Sequence, residues 1–268
     1  MRTAVLSRDA SIVVAGVAGL TALAWFDLAR IADGMSKDAG INMGMKMGAV
    51  MTMSAPPRWT VDDLLANGFM WTAMMIAMML PSAAPMLLLF ARVQRTRRAA
   101  GQIAVPAGLF AGGFLLVWAA WGWLAAGLQW VLQALLVLSP QLAVARLPLA
   151  FTFLAVAGVY QFTPLKHACL TRCQTPLGFL LTQWREGARG ALRMGARYGA
   201  YCVGCCWALM GLLFVVGIMN MLWIMLLAVF VLIETAAVRG PWLARATGLA
   251  LFGWALYLLR SGLPGWTR

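Results

Sequence analysis

The chain has 268 residues, of which 63% are hydrophobic, and its mean hydropathy of +0.83 lies well above that of soluble domains, which are roughly half apolar. Its 21 basic and 8 acidic residues gather in short clusters between uncharged runs, which excludes a soluble enzyme, a disordered chain and a disulfide scaffold. The net charge of +13 does not make nucleic acid a partner, because the arginines flank hydrophobic runs as charges that orient helices in a lipid bilayer.

The fold class is therefore all-α, a polytopic transmembrane helical bundle with six or seven spans. About 20 mostly apolar residues are needed to cross the hydrocarbon core, and the uncharged runs map them. Residues 10–26 give a first span, with a cleaved signal peptide as its competitor, since Ala22 and Ala24 form a small-residue pattern. Residues 64–91 give a long second span interrupted by Pro81 and Pro85. The uncharged run 99–145 reads as a span over 105–128 and an interfacial segment ending at Ser139 and Pro140. A fourth span covers 147–163. Two more lie in 198–238, divided by a turn at 217–220, and 246–259 makes a short seventh whose Arg245 and Arg260 snorkel to the interfaces. Three units follow: 1–30 as the first span, 31–63 as a Met-rich extracytoplasmic loop and 64–260 as a metal-binding transmembrane domain.

Cytoplasmic loops retain Lys and Arg. With the N-terminus inside, one face collects Arg2, Arg8, the cluster Arg92 to Arg98, the basic residues from Lys166 to Arg197, Arg239 and Arg245, which is two thirds of the total. The loop 31–63 balances its lysines and Arg58 against Asp33, Asp38, Asp62 and Asp63, and is placed outside. The small-residue pairs Gly108/Gly112 and Gly195/Gly199 permit close helix approach but arise readily by chance among 27 glycines. Trp118, Trp121, Trp123 and Trp130 read as interfacial anchors and bundle filler.

Few groups remain for chemistry. One His rules out a bis-His haem, and Asp27 and Glu234 are too few carboxylates for an ordinary proton-coupled transporter. Glu234 reads as a polar group that pairs helices, with a gate as the alternative. Sulfur is left, in five Cys and 18 Met. Cys202, Cys205 and Cys206 are related by i, i+3 and i+4 and share a helix face that Met210 extends. Cys169 and Cys173 share another if Pro164 starts a helix, with His167 just upstream. Both groups lie near the inner mouth of the bundle. An isolated membrane Cys is a small hydrophobe, so inert packing and thiol redox chemistry stand beside metal binding as readings of these clusters. The spacing matches zinc ligation only in part.

Methionine separates the metals. The outer loop carries Met35, Met43, Met45, Met47, Met51 and Met53, and the second span Met70, Met74, Met75, Met78, Met79 and Met86. Pliable packing accounts for the span but not for an extended, water-exposed loop. Thioether and thiolate together select Cu(I), whereas zinc has little use for Met and iron or magnesium prefer harder donors. Met70, Met74 and Met78 would capture the ion weakly and the Cys cluster would hold it more tightly, which makes an inward relay. A reducing cytoplasm would keep the thiols available.

The Met-rich stretch 70–81 with Pro85, the stretch 160–173 and the stretch 199–210 resemble a family of metal-binding integral membrane proteins long catalogued as a domain of unknown function and sometimes labelled copper chaperones. The likeness covers about residues 64–260. It implies a membrane protein that supplies copper to a cuproprotein, such as a tyrosinase-like or oxidase-type enzyme, and it brings no ligand set. The sequence therefore predicts a multi-pass inner-membrane protein, N-terminus cytoplasmic, that binds Cu(I) and hands it to an acceptor cuproprotein without catalysis of its own. Its expected ligands are Cys202, Cys205 and Cys206, then Cys169 and Cys173, then Met210 and His167. A membrane thiol-disulfide oxidoreductase using Cys202 and Cys205 and a copper transporter are the alternatives.

Overall fold

A computed structural model describes residues 8–46, 60–135, 147–236 and 242–261. Every regular element among them is helical: α1 (Arg8–Lys46), α2 (Val61–Ala99), α3 (Ala107–Ala134), α4 (Leu147–Tyr160), α5 (Pro164–Gln174), α6 (Pro176–Gln183), α7 (Gly187–Gly211), α8 (Leu213–Val216), α9 (Met221–Ala236) and α10 (Trp242–Ser261).

Local chemistry sets several of these ends. Thr60 and Asp63 form a reciprocal capping box at the start of α2: Asp63 N–H donates to Thr60 Oγ1 at 3.3 Å and Thr60 N–H to Asp63 Oδ2 at 2.9 Å. The helix then runs unbroken through Pro81 and Pro85 for 39 residues, so these prolines do not interrupt the span as the sequence reading expected. In a bundle, neighbouring helices re-satisfy the backbone groups that a proline frees. Thr163 caps α5 by accepting from Lys166 N–H at 3.3 Å, and Pro164 occupies its first turn, which establishes the helix that Cys169 and Cys173 required. The turn expected at 217–220 is present, with Gly217 at a φ of 102° that side chains other than hydrogen rarely tolerate.

The protein is a multi-pass membrane protein. Among the described residues five helices are long and apolar enough to cross a bilayer, and a sixth span results if α4 and α5, bent by 65° at residues 161–163, are counted together. At 16 residues α9 is apolar but short, about 24 Å at 1.5 Å per residue. Five or six spans meet the expected six or seven only at six, and the uncertain member has moved: α10 reaches 20 residues and α9 is the short one.

Three elements depart from the sequence reading. Helix α1 continues to Lys46, so Met35, Met43 and Met45 stand on helical backbone and not in an extended loop; Met47, Met51 and Met53 lie outside the described residues. Helix α3 runs straight on to Ala134 where an interfacial segment was expected, while Ser139 and Pro140 fall outside the described residues. Helix α7 opens at Gly187, eleven residues before the expected start. Arg189, Arg193 and Arg197 recur every four residues on its exposed face while Gly190, Met194, Tyr198 and Cys202 fill its buried one, so the basic segment is amphipathic helix and not loop.

The core is built on α2, α3 and α7. Helices α5 and α4 pack against α7, α9 against α2, α10 against α4, and α1 covers the outside of α2. Helices α3 and α7 meet backbone to backbone. A Cβ on Gly195 would stand 1.9 Å from the Phe110 carbonyl oxygen, and one on Gly113 would stand 2.1 Å from that of Leu192. The pair Gly195/Gly199 is thus a true contact, whereas Gly108 faces open space and Gly113, one position beyond the expected Gly112, is the residue in the crossing. Trp118 is fully buried, so it is core and not an interfacial anchor.

Candidate metal centre

Five free thiols are buried together inside this framework. Because α7 begins so early, Cys202 lies 15 residues into it, about four turns, and the cysteines sit within the helix bundle instead of at its mouth. From α5, across the bend that Pro164 and Thr163 create, Cys173 is turned to meet them. The sulfurs of Cys173, Cys202 and Cys205 all lie within 4.8 Å of one another.

That spacing can be judged against bond lengths. With a metal–thiolate bond of about 2.3 Å, two sulfurs sharing an ion lie at most about 4.6 Å apart, and three in a trigonal plane about 4.0 Å apart. Rotation of thiols by a few tenths of an ångström closes the triangle on one ion. It consists of sulfur alone, with no carboxylate or imidazole in the group.

The surrounding contacts place the remaining sulfurs. Cys205 Sγ and Cys206 Sγ both donate to the Cys202 carbonyl oxygen at 3.0 Å, an i−3/i−4 pattern that holds both thiols back toward Cys202. The Cys202 sulfur is grouped with those of Cys173 and Cys205 and lies near Cys206 and Ser82, whose hydroxyl donates to the Met79 carbonyl at 2.8 Å. Cys206 therefore borders the triad without joining it. Tyr198 O–H reaches the Cys173 carbonyl at 3.5 Å, and the Tyr160 hydroxyl donates to the Gly204 carbonyl, so two phenols tie α4 and α5 to the Cys-bearing turn of α7.

Cys169 is the most exposed of the five thiols, at 9%. Its sulfur occupies the space that a Gly204 side chain would fill, 2.7 Å from where that Cβ would be. Gly204→Ala should therefore expel the Cys169 thiol while sparing the fold, since one χ rotation relieves the clash at a cost of about 1 kcal/mol. The expected result is faster alkylation of Cys169 with unchanged labelling of Cys173, Cys202 and Cys205, read by mass spectrometry.

Methionine approaches from α2. Met70, Met74, Met75, Met78, Met79 and Met86 are all buried, and Ser82, which lies near Cys202, shares a face with Met75, Met78, Met79 and Met86 by its i±3, i±4 and i−7 spacing. Met210 is buried too, and with Met75, Trp71 and Phe214 it lines an apolar cavity of about 310 Å³. His167 is half-buried and outside the thiol group.

Sequence reasoning missed two features. Ser82 was passed over as a polar residue between two prolines. Lys166 was counted among loop charges, yet it is fully buried and its Nζ stands 2.7 Å from Glu234 Oε1 on α9. Periodicity carried that signal, because Lys166, Cys169 and Cys173 are i, i+3 and i+7 on α5 and share its buried face. Glu234 does pair helices, through this lysine.

A family model described as PpoB2, copper chaperone, matches residues 68–258, and the chain belongs to this copper chaperone family. No curated protein and no solved structure matches it.

Proposed function

Starting from that membership, we propose that the protein binds Cu(I) as cargo at Cys173, Cys202 and Cys205 and delivers it to an acceptor cuproprotein, with no catalysis of its own. The observation that carries this reading is the all-sulfur triangle within 4.8 Å. Soft thiolates select a cuprous ion over magnesium or iron, and a closed trigonal set of three suits it better than zinc, which takes four ligands. Cys206 and Cys169 border the site as exchange ligands, and Met210 and His167 are assigned to later exchange steps farther out. Met70, Met74 and Met78 form a lower-affinity path along α2 that ends where Ser82 lies near Cys202. The bias of Lys and Arg supports a cytoplasmic N-terminus in an inner membrane, an orientation that turns the basic start of α7, which leads into the thiols, toward the reducing cytoplasm.

Protein purified anaerobically under reducing conditions is expected to hold close to one Cu(I) per chain against a competing chelator. Failure to take up Cu(I) at micromolar supply overturns the proposal. Liposomes loaded with the protein should show no net radiolabelled copper flux in the absence of acceptor; flux would reassign it as a transporter. A Cys202–Cys205 disulfide that turns over with a quinone, in the presence of a copper chelator, would instead make it an oxidoreductase.

A further inference from the structure

Lys166 and Glu234 are the charged side chains buried among the described residues. Removing an ammonium and a carboxylate from water costs several kcal/mol each, and a well-packed apolar pair of similar volume is often at least as stable. The pair is poorly satisfied even so. The carboxylate's Oε1 is paired with Lys166 at 2.7 Å, and its Oε2 has no hydrogen-bond partner among the described residues. Lys166 is also held by the Gln161 amide oxygen, and Gln174 Nε2 fixes the Glu234 carbonyl at 2.9 Å. The pair thus lies along α5, the helix that carries Cys169 and Cys173. Cys205 and His167 are within electrostatic range of the carboxylate.

The thiol centre has a charge problem that this pair can meet. Thiols lose their protons to solvent when they bind metal, so a monovalent ion held by two thiolates carries a net charge of minus one and by three, minus two. Burial of such an anion among helices is unfavourable without a cation nearby. We infer that Lys166 is the counter-cation of the metal–thiolate centre and that Glu234 holds it in reserve, neutralising the lysine while the thiols are protonated and sharing it when they are not. The inference rests on the proposed Cu(I) site. Lysine suits the role as a compact charge on a flexible stem. Its Cα stands seven residues, about 10 Å of helix rise, from that of Cys173.

The test compares Glu234→Gln with the double variant Lys166→Met/Glu234→Gln, which differ in the lysine charge. Cu(I) affinity is read anaerobically in detergent by competition with a chromogenic chelator, with wild type and a Cys173/Cys202/Cys205→Ser variant alongside. Glu234→Gln should bind Cu(I) about tenfold tighter than the double variant, the effect of a unit charge roughly 10 Å away at an effective dielectric near 20. It should also bind more tightly than wild type. A purely structural ion pair predicts equal affinities in the two variants, and that result overturns the inference. Should Glu234→Gln not survive extraction, the double variant against wild type decides: weaker binding is expected and equal binding overturns it. If wild type itself takes up no Cu(I), the proposed function falls and this inference with it; if wild type binds and the variants do not differ, the inference alone falls.

Discussion

Replacement of Cys173, Cys202 and Cys205 together by Ser should abolish Cu(I) binding while leaving the bundle folded. Serine is close to cysteine in shape, and at position 205 it can donate the i−3 hydrogen bond that the Cys205 thiol makes to the Cys202 carbonyl, so the helices should stay packed. The hydroxyl is a hard, poorly ionised donor that a soft ion does not select. The loss should exceed the roughly 10- to 100-fold cost of altering an outer-shell partner. Cys206→Ser, which removes a thiol bordering the triangle, should cost much less. A chelator titration distinguishes them, and equal losses from the triple and the single variant would move the centre onto α7 alone.

The largest effect on stability is expected at the crossing of α3 and α7. In Gly195→Ala the new Cβ would lie 1.9 Å from the Phe110 carbonyl oxygen, and because that atom is backbone the helices themselves must part. Overpacking of this kind costs about 3 kcal/mol or more. Gly113→Ala, at 2.1 Å from the Leu192 carbonyl, should behave alike. Gly108→Ala offers the opposite sign: its Cβ meets nothing within 4 Å, so alanine's better helix propensity should be neutral or slightly stabilising. Thermal unfolding in detergent ranks the three. Since Cys202 follows Gly195 by seven residues on the same face, the variant that parts the helices should also weaken Cu(I) binding.

Periodicity and charge made most of the fold legible. The apolar runs located the long helices, Gly217 and its neighbours marked the turn, and Pro164 marked the start of α5, because helix-start and turn residues act within a few positions of themselves. Helix ends were less legible. The arginines of 187–197 look like a loop when only hydropathy is read, yet their four-residue spacing leaves a continuous buried face. In the site, the shared face of Cys202, Cys205 and Cys206 was readable from spacing, and so was that of Cys169 and Cys173. Which of the five meet was not, since Cys206 is the immediate neighbour of Cys205 in sequence but borders the triangle that the distant Cys173 completes.

The sequence by itself determined that this chain lives in a membrane, that it is helical and that its candidate ligands are sulfur, because hydropathy, period and residue type are properties of short stretches. Only the tertiary structure decided that Cys173 closes the triangle with Cys202 and Cys205, that Ser82 brings the Met-bearing helix to it, and that Lys166 is buried against Glu234. These are contacts between α5, α7, α2 and α9, fixed by a 65° bend and by backbone approach at glycine. Such geometry is set by how whole helices pack, and no local pattern encodes it.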